Sequence, residues 1–336
     1  RLEALFYCNE YLQKTKETPI IISLNKETLN KLSKRIYSVY LEKLQPSEVG
    51  KRLAIWKTLL QTRQLKREYS YEEALENLLL DSNKDKNSGI NDIINLDVAR
   101  TFFDYDAETT RKAICNILKV LALLKPEINY CQGMNYIASF IYHLCKDEEE
   151  TFFIMLGLFT NTEYKIMFIN DLHRLKQLFY VFDRLLTLTL PEINNYMKLS
   201  SIVCNYFSSP WFITLFTNSY QFKASEEPPK IIMKIWDDFI LNGWEALVRA
   251  GVVLLKMNEE DLLLLRYEEL LHYLINDLIK KCFYLNQNHE YYITVSKHVK
   301  FKPGLLSNIE NENIQERRVK EIDEIHCAVL SSGNNN

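Results

Sequence analysis

Three observations predict an all-α fold. Apolar residues recur at i, i+3 and i+4 through most of the chain. No stretch combines strand-like alternation with turn residues at both ends. Only eight glycines occur in 336 residues, which leaves few tight turns. The helical segments show no fixed period, so a repeat solenoid is not expected. An apolar share of 47% is enough for a large core, in one domain or two closely packed ones.

Taken in order, residues 1–45 read as a helical N-terminal extension, with Pro19-Ile20-Ile21-Ile22 breaking it and a second helix over Lys26–Leu44. Residues 47–80 read as two helices, the first with Leu53, Trp56, Leu59 and Leu60 on its apolar face, the second over Tyr71–Leu80. Asp81 to Gly89 is a polar loop. Thr109 to Leu124 is an amphipathic helix with Ala113, Ile114, Ile117, Leu118, Leu121 and Leu124 on one face, Thr109 or Thr110 as its cap and Pro126 beyond its end. Ile137, Phe140, Ile141 and Leu144 form the next stripe, and Asp147 caps a helix whose first turn holds Glu148, Glu149 and Glu150. Asp171 opens a long helix with Leu172, Leu175, Leu178, Phe179, Phe182, Leu185 and Leu186 along one side.

Pro191 suits the first turn of the following helix. Pro228-Pro229 starts the helix through Trp236 and Phe239, which Gly243 ends, and helices over Trp244–Lys256 and Leu262–Phe283 complete the series. Gly304 to Asn308 reads as a loop. Asn311 to Leu330 is a charged, weakly periodic segment with two readings: a packed terminal helix, which is preferred, or a helix that binds another protein. The end, from Ser331, is expected to be disordered.

Composition narrows the function. A net charge of −3, without a basic stripe interleaved with aromatics, argues against nucleic acid as a partner. Six scattered histidines show no metal-binding spacing, so no metal site is expected. Neither a G-x-x-x-x-G-K-[ST] loop nor G-x-G-x-x-G occurs, so the chain is not expected to hold a nucleotide. Seven scattered cysteines without a C-x-x-C pair suit reduced thiols in the cytosol. Leu199 to Phe222 is uncharged and long enough to span a bilayer, but Asn205, Ser208, Ser209, Pro210, Thr214 and Thr217 fit a broken pair of core helices better.

Two polar clusters flank the amphipathic helix over Thr109–Leu124. The first is Ile94-Asn95-Leu96-Asp97-Val98-Ala99-Arg100, and the second is Tyr130-Cys131-Gln132-Gly133-Met134-Asn135. The helix between them is a rod about 24 Å long, so the clusters meet only if the flanking segments fold back along it. A meeting of Arg100 and Gln132 suits work on a phosphate and a water, because one side chain keeps its charge and the other both donates and accepts. The bland alternatives are an Asp97–Arg100 surface ion pair and a loop glutamine beside a glycine.

The clusters resemble the two motifs of the TBC domain, the family of GTPase-activating proteins for Rab GTPases. Ile94, Asp97 and Arg100 fill I-x-x-D-x-x-R, and Tyr130, Gln132, Gly133 and Met134 fill Y-x-Q-G-M. Arg52 and Trp56, then Pro210-Trp211-Phe212-Ile213-Thr214-Leu215-Phe216, then Trp236-Asp237 with Asn242-Gly243 resemble further family elements in the family's order. The resemblance runs over about residues 46–288, with both motifs in an N-terminal half ending near residue 188, and it fades into a C-terminal extension over 289–336.

The resemblance implies two packed helical subdomains and a groove that docks a Rab. It implies that Arg100 is a finger stabilising transition-state charge and Gln132 a second finger placing the attacking water, with GTP and Mg²⁺ carried by the partner. Asp97 is expected to position the arginine or its loop, Tyr130 to pack, and Gly133 to let a partner's backbone approach. Asn135 is assigned no role. A cytoplasmic protein acting in vesicle trafficking at endomembranes, recruited through partners, is the matching expectation. The alternative is a non-catalytic TBC domain that serves as a Rab-binding or structural scaffold.

Overall fold

The computed structural model describes residues 26–45, 47–80, 88–101, 107–128, 130–168, 172–220, 222, 227–285, 289–302 and 304–316. Among them the only extended element is an isolated bridge residue, Phe222, so the all-α expectation holds. Residues 1–43 and 44–336 form separate units. The described part of the first is one helix, α1 (Lys26–Leu41), within the expected Lys26–Leu44.

The second unit opens with α2 (Val49–Leu59), α3 (Thr62–Glu68) and α4 (Tyr71–Leu80). The sequence predicts two helices here and the structure has three. Gln61 takes a left-handed conformation at φ 56° and breaks the run without a glycine to announce it. Next come α5 (Ser88–Arg100), α6 (Ala107–Leu124), α7 (Met134–Cys145) and α8 (Glu148–Asn161). The predicted polar loop lies outside the described residues at 81–87, while Ser88 and Gly89 already belong to α5. Helix α6 begins at Ala107, so Thr109 and Thr110 lie inside its first turn and neither caps it.

Asp147 caps α8 as expected, its Oδ1 accepting the Glu150 N–H at 2.7 Å. Residues Thr151 to Phe159 of α8 are all buried. A helix that is apolar all round belongs at the centre of a core, and α8 packs on α2, α3, α6 and α7.

The remainder is α9 (His173–Thr189), α10 (Pro191–Leu199), α11 (Asn205–Ile213), α12 (Lys230–Asn242), α13 (Trp244–Met257), α14 (Glu259–Leu264), α15 (Tyr267–His272), α16 (His289–His298) and α17 over residues 305–316. Helix α15 continues through π-helical turns at Tyr273–Asp277 and Lys281–Leu285. The single helix expected over Leu262–Phe283 is thus divided after Leu264, where Leu265 is extended. Asp171 lies outside the described residues. Leu172 takes φ 59° and precedes α9 instead of sharing its face.

Pro210 sits inside α11, and the expected break falls after Ile213, where Leu215 and Phe216 take φ 50° and 65°. The stretch is nonetheless core, with Trp211, Phe212 and Phe216 fully buried, and no described helix is long and apolar enough to cross a membrane.

Residues 305–308, predicted as loop, are the first turn of α17, which starts directly after Gly304 at φ 80°. Helix α17 packs over its described residues, with Ile309 buried and with Arg174–Glu310 and Arg184–Glu312 ion pairs to α9 at 2.9 and 3.4 Å, and only residues 311–316 of the charged segment read as 311–330 fall within it. Residues 317–336 lie outside the described residues. Five described cysteines, at 115, 131, 145, 204 and 282, are free thiols.

One hydrophobic core runs through the helices of both expected halves. Its polar tie is Asp237 of α12. Its carboxylate accepts Arg52 Nε at 2.9 and 3.1 Å and Trp56 Nε1 at 2.8 Å, both from α2. Burial pushes the Asp237 carboxyl up to about 6 against the opposing pull of Arg52 and Trp56. The rings of Trp56 and Trp236 stack above this tie with centroids 5.5 Å apart. Breaking such a pair from one side leaves a buried cation without a counter-charge. Asp237→Ala is therefore expected to cost about 3–5 kcal/mol of stability in urea denaturation. A loss below about 1 kcal/mol would contradict this role.

Candidate functional site

The first motif forms the last two turns of α5. Ile94 and Val98 are buried and fix that helix against the core. Asp97, 7% exposed, lies at the edge of the buried face, and Arg100 is the exposed last residue. A cation there complements the negative end of the helix. The second motif forms the turn into α7, with Gln132 exposed, Gly133 buried and Tyr130 half-buried. Helix α6 packs on both α5 and α7, so the chain does fold back and the two motifs meet.

Four side chains make the meeting. The Tyr130 hydroxyl donates to Asp97 Oδ2 at 3.0 Å. Burial and the Asp97 carboxylate push the phenol above its ordinary range, so it stays a donor. Asn135, 2% exposed, then joins the backbones. Its Nδ2 donates to Thr101 Oγ1 at 2.8 Å and, at 3.4 Å, to the Asp97 carbonyl. Its Oδ1 accepts the Gly133 N–H at 3.0 Å. Thr101 follows Arg100 and Gly133 follows Gln132. Two hydrogen bonds through one amide therefore separate the neighbours of the two candidate fingers.

The Asp97–Arg100 surface ion pair, the bland alternative, is absent among the described residues. Asp97 is engaged with Tyr130, and Arg100 makes no described hydrogen bond or ion pair.

Gly133 is also constrained within the chain itself. Its φ of 115° is open to few other residues, and a Cβ there would lie 2.7 Å from Ile213 Cγ2 and 3.2 Å from Thr214 Cγ2. This intrachain close approach is to the Pro210–Phe216 element at the end of α11. The Tyr164 hydroxyl donates to the Ile213 carbonyl in a short bond and holds that element in place. Trp236 Nε1 donates to the Leu215 carbonyl at 3.2 Å.

Sequence reasoning missed Asn135 and Thr101. A buried-side asparagine two residues beyond a glycine can take that glycine's N–H, which is the one local signal available. Cys131 is half-buried and its thiol is pushed up by burial and by Asp97, which fits packing and not reactivity.

Asn135→Ala leaves the Gly133 N–H without its acceptor and takes the donor from Thr101 Oγ1, which keeps its own bond to the Asp97 carbonyl, and is expected to cost about 1–3 kcal/mol in urea denaturation. Gly133→Ala combines a strained backbone with a clash and should cost at least about 1–3 kcal/mol. Gly89→Ala, with nothing within 4 Å of the added carbon, is the control and should leave stability unchanged or slightly raised. Equal stability of all three variants would remove the proposed geometry.

The profile of the Rab-GTPase-TBC domain (RabGAP-TBC) matches residues 50–263, which include both motifs. The chain is 32% identical over 197 residues to the GTPase-activating protein GYP5 of Saccharomyces cerevisiae, covering 59% of this chain and 21% of that protein. It is 26% identical over 227 residues to the human ecotropic viral integration site 5 protein homolog, covering 66% of this chain and 26% of the human one. The chain thus spans about a fifth to a quarter of the length of these curated relatives.

Among solved structures, the Chlamydomonas flagellar RabGAP TBC domain superposes with a TM-score of 0.60 at 17% identity, over 88% of this chain and 90% of that one. The Ypt/Rab-GAP domain of Gyp1p gives 0.56 at 15% identity, over 86% and 98%. These two establish the fold. With the profile match extending over more than half of the sequence, the chain belongs to the Rab-GTPase-TBC domain family.

Proposed function

We propose that the chain activates GTP hydrolysis by a Rab-type small GTPase, completing the partner's active site with Arg100 and Gln132. The observation that carries this reading is the Thr101–Asn135–Gly133 link, which sets the two exposed side chains at adjoining edges of one buried network. GTP and Mg²⁺ come with the partner. Phosphoryl transfer spreads charge over the transferring and leaving oxygens, and a permanently charged planar guanidinium offsets it. The Gln132 amide accepts from the attacking water while donating to a phosphate oxygen. Asp97 and Tyr130 hold the two backbones and touch neither reactant. The names of the relatives support the activity, and the family supports the partner class. We place the protein at the cytoplasmic side of endomembranes, in vesicle trafficking, brought there by its partners.

The test is single-turnover hydrolysis of GTP preloaded on a panel of Rab GTPases, with catalytic amounts of the chain. At least one Rab is expected to be accelerated. On that Rab, Arg100→Ala should lose about 10³–10⁵ of the rate enhancement, and Arg100→Lys should fail badly because an ammonium lacks the planar fork. Gln132→Ala should lose about 10²–10³. Full activity of a folded Arg100→Ala protein contradicts the mechanism, and binding without acceleration by the wild type makes the chain a binding module.

A further inference from the structure

The glutamine turn is supported from two sides. On one side Tyr130 and Asn135 tie it to the end of α5. On the other stands α11, which is seated on α9 and α13 and so belongs to the C-terminal half. Its last residue, Ile213, occupies the space where a side chain of Gly133 would stand, with Cγ2 2.7 Å from the site of an added Cβ. The Thr214 methyl lies beside it at 3.2 Å. Helix α5, which carries Arg100, has its own seat on α6 and α7.

The backbone around Ile213 is fixed. Its carbonyl accepts the hydroxyl of the fully buried Tyr164. Thr214 Oγ1 donates to the Pro210 carbonyl at 2.6 Å and accepts the Asn218 N–H at 3.2 Å. Leu215 and Phe216 follow at φ 50° and 65°, and Trp236 Nε1 donates to the Leu215 carbonyl. A β-branched side chain is stiff at χ1. On a fixed backbone, Ile213 therefore holds its Cγ2 methyl against Gly133 with little freedom.

We infer that Ile213 is a positioning residue for Gln132: its Cγ2 methyl props the Gly133 backbone and so sets how well the attacking water is placed. Resting on the activity proposed above, this gives the C-terminal half a part in the hydrolytic step through a residue outside both motifs. Gly133 has no side chain of its own to wedge the turn. Without the methyl a gap opens beneath it, into which the turn relaxes. A misplacement of about 1 Å at a reacting group can cost about 10²-fold in rate.

The experiment is single-turnover hydrolysis at saturating full chain, on the Rab of the panel that responds most strongly. Three substitutions separate shape from bulk. Ile213→Val keeps Cγ2, Ile213→Leu keeps the volume but moves the branch off Cβ, and Ile213→Ala removes both γ carbons. The Val variant should match the wild type within about twofold, and the Leu and Ala variants should each lose about tenfold or more of the maximal rate. The dissociation constant for Rab loaded with a non-hydrolysable GTP analogue should change by less than about twofold in all three. In a Gln132→Ala chain, Ile213→Leu should cost nothing further, because no amide is left to position. Amide exchange at Gly133, read by NMR, should quicken in Ile213→Leu while that of Thr101 stays as in the wild type. Thr214→Ser, which removes the neighbouring methyl and keeps the hydroxyl, should show the same pattern and serves if the Leu and Ala variants do not fold.

Ile213→Leu at the wild-type rate, or an equal loss in the Gln132→Ala background, overturns the inference and leaves the activity standing. A loss confined to the dissociation constant makes Ile213 a partner contact and overturns it too. An undiminished Gln132→Ala chain removes the glutamine assignment and the role of Ile213 with it, while Arg100 stands. A wild-type chain that accelerates no Rab overturns the activity and the inference together.

Discussion

The side-chain amide of Asn135 is the interaction on which the site depends. One carboxamide offers an acceptor and two donors, and here Oδ1 takes the Gly133 N–H while Nδ2 serves Thr101 and the Asp97 carbonyl. All of this is enclosed, so water does not replace a lost bond and the amide has few ways to rotate without leaving a polar group unpaired. The end of α5 and the start of α7 are therefore held in one register, although 18 residues of α6 lie between them. Flexible exposed side chains on two separate loops would meet only by chance. On this frame their backbones are fixed, and only their own torsions remain to be ordered.

The frame is supported from behind by the other family elements, which explains why such distant segments occur together. Gly133 rests on Ile213. Tyr164 and Trp236 each donate to a carbonyl of that same strained turn, at Ile213 and Leu215. Trp236 stacks on Trp56, and Asp237 ties Trp56 and Arg52 into the core. The contacts make a continuous packed path from α2 through α12 and α11 to the glutamine turn. A close-packed interior transmits displacement, so loss of any layer shifts the one above it.

Much of this was legible in the sequence where periodicity or a specific cap announces it. The stripes of α6 and α7, the Asp147 cap, Pro191 at the start of α10 and Gly243 at the end of α12 follow from local chemistry. The breaks at Gln61, Leu172 and Phe216 did not, because ordinary residues adopt left-handed conformations there under tertiary constraint. The candidate fingers were legible as motifs, while the helix between them set only a condition for their meeting, which the packing of α5 and α7 on α6 fulfils. The role of Asn135 in joining the motifs was not legible, since Thr101 and the Asp97 carbonyl come from a segment more than thirty residues away. Gly133 carried a clear signal of constraint, but only the structure shows that α11 imposes it.

The central claim is that one register delivers a charge-stabilising arginine and a water-placing amide to the same nucleotide. It is tested most directly with a partner Rab whose own switch glutamine is changed to alanine. In single-turnover hydrolysis that Rab should still be accelerated appreciably by the wild-type chain, because Gln132 supplies the missing amide, and should not be accelerated by Gln132→Ala. A glutamine-deficient Rab that binds the wild-type chain normally yet shows no acceleration would contradict the account and leave Arg100 to act alone.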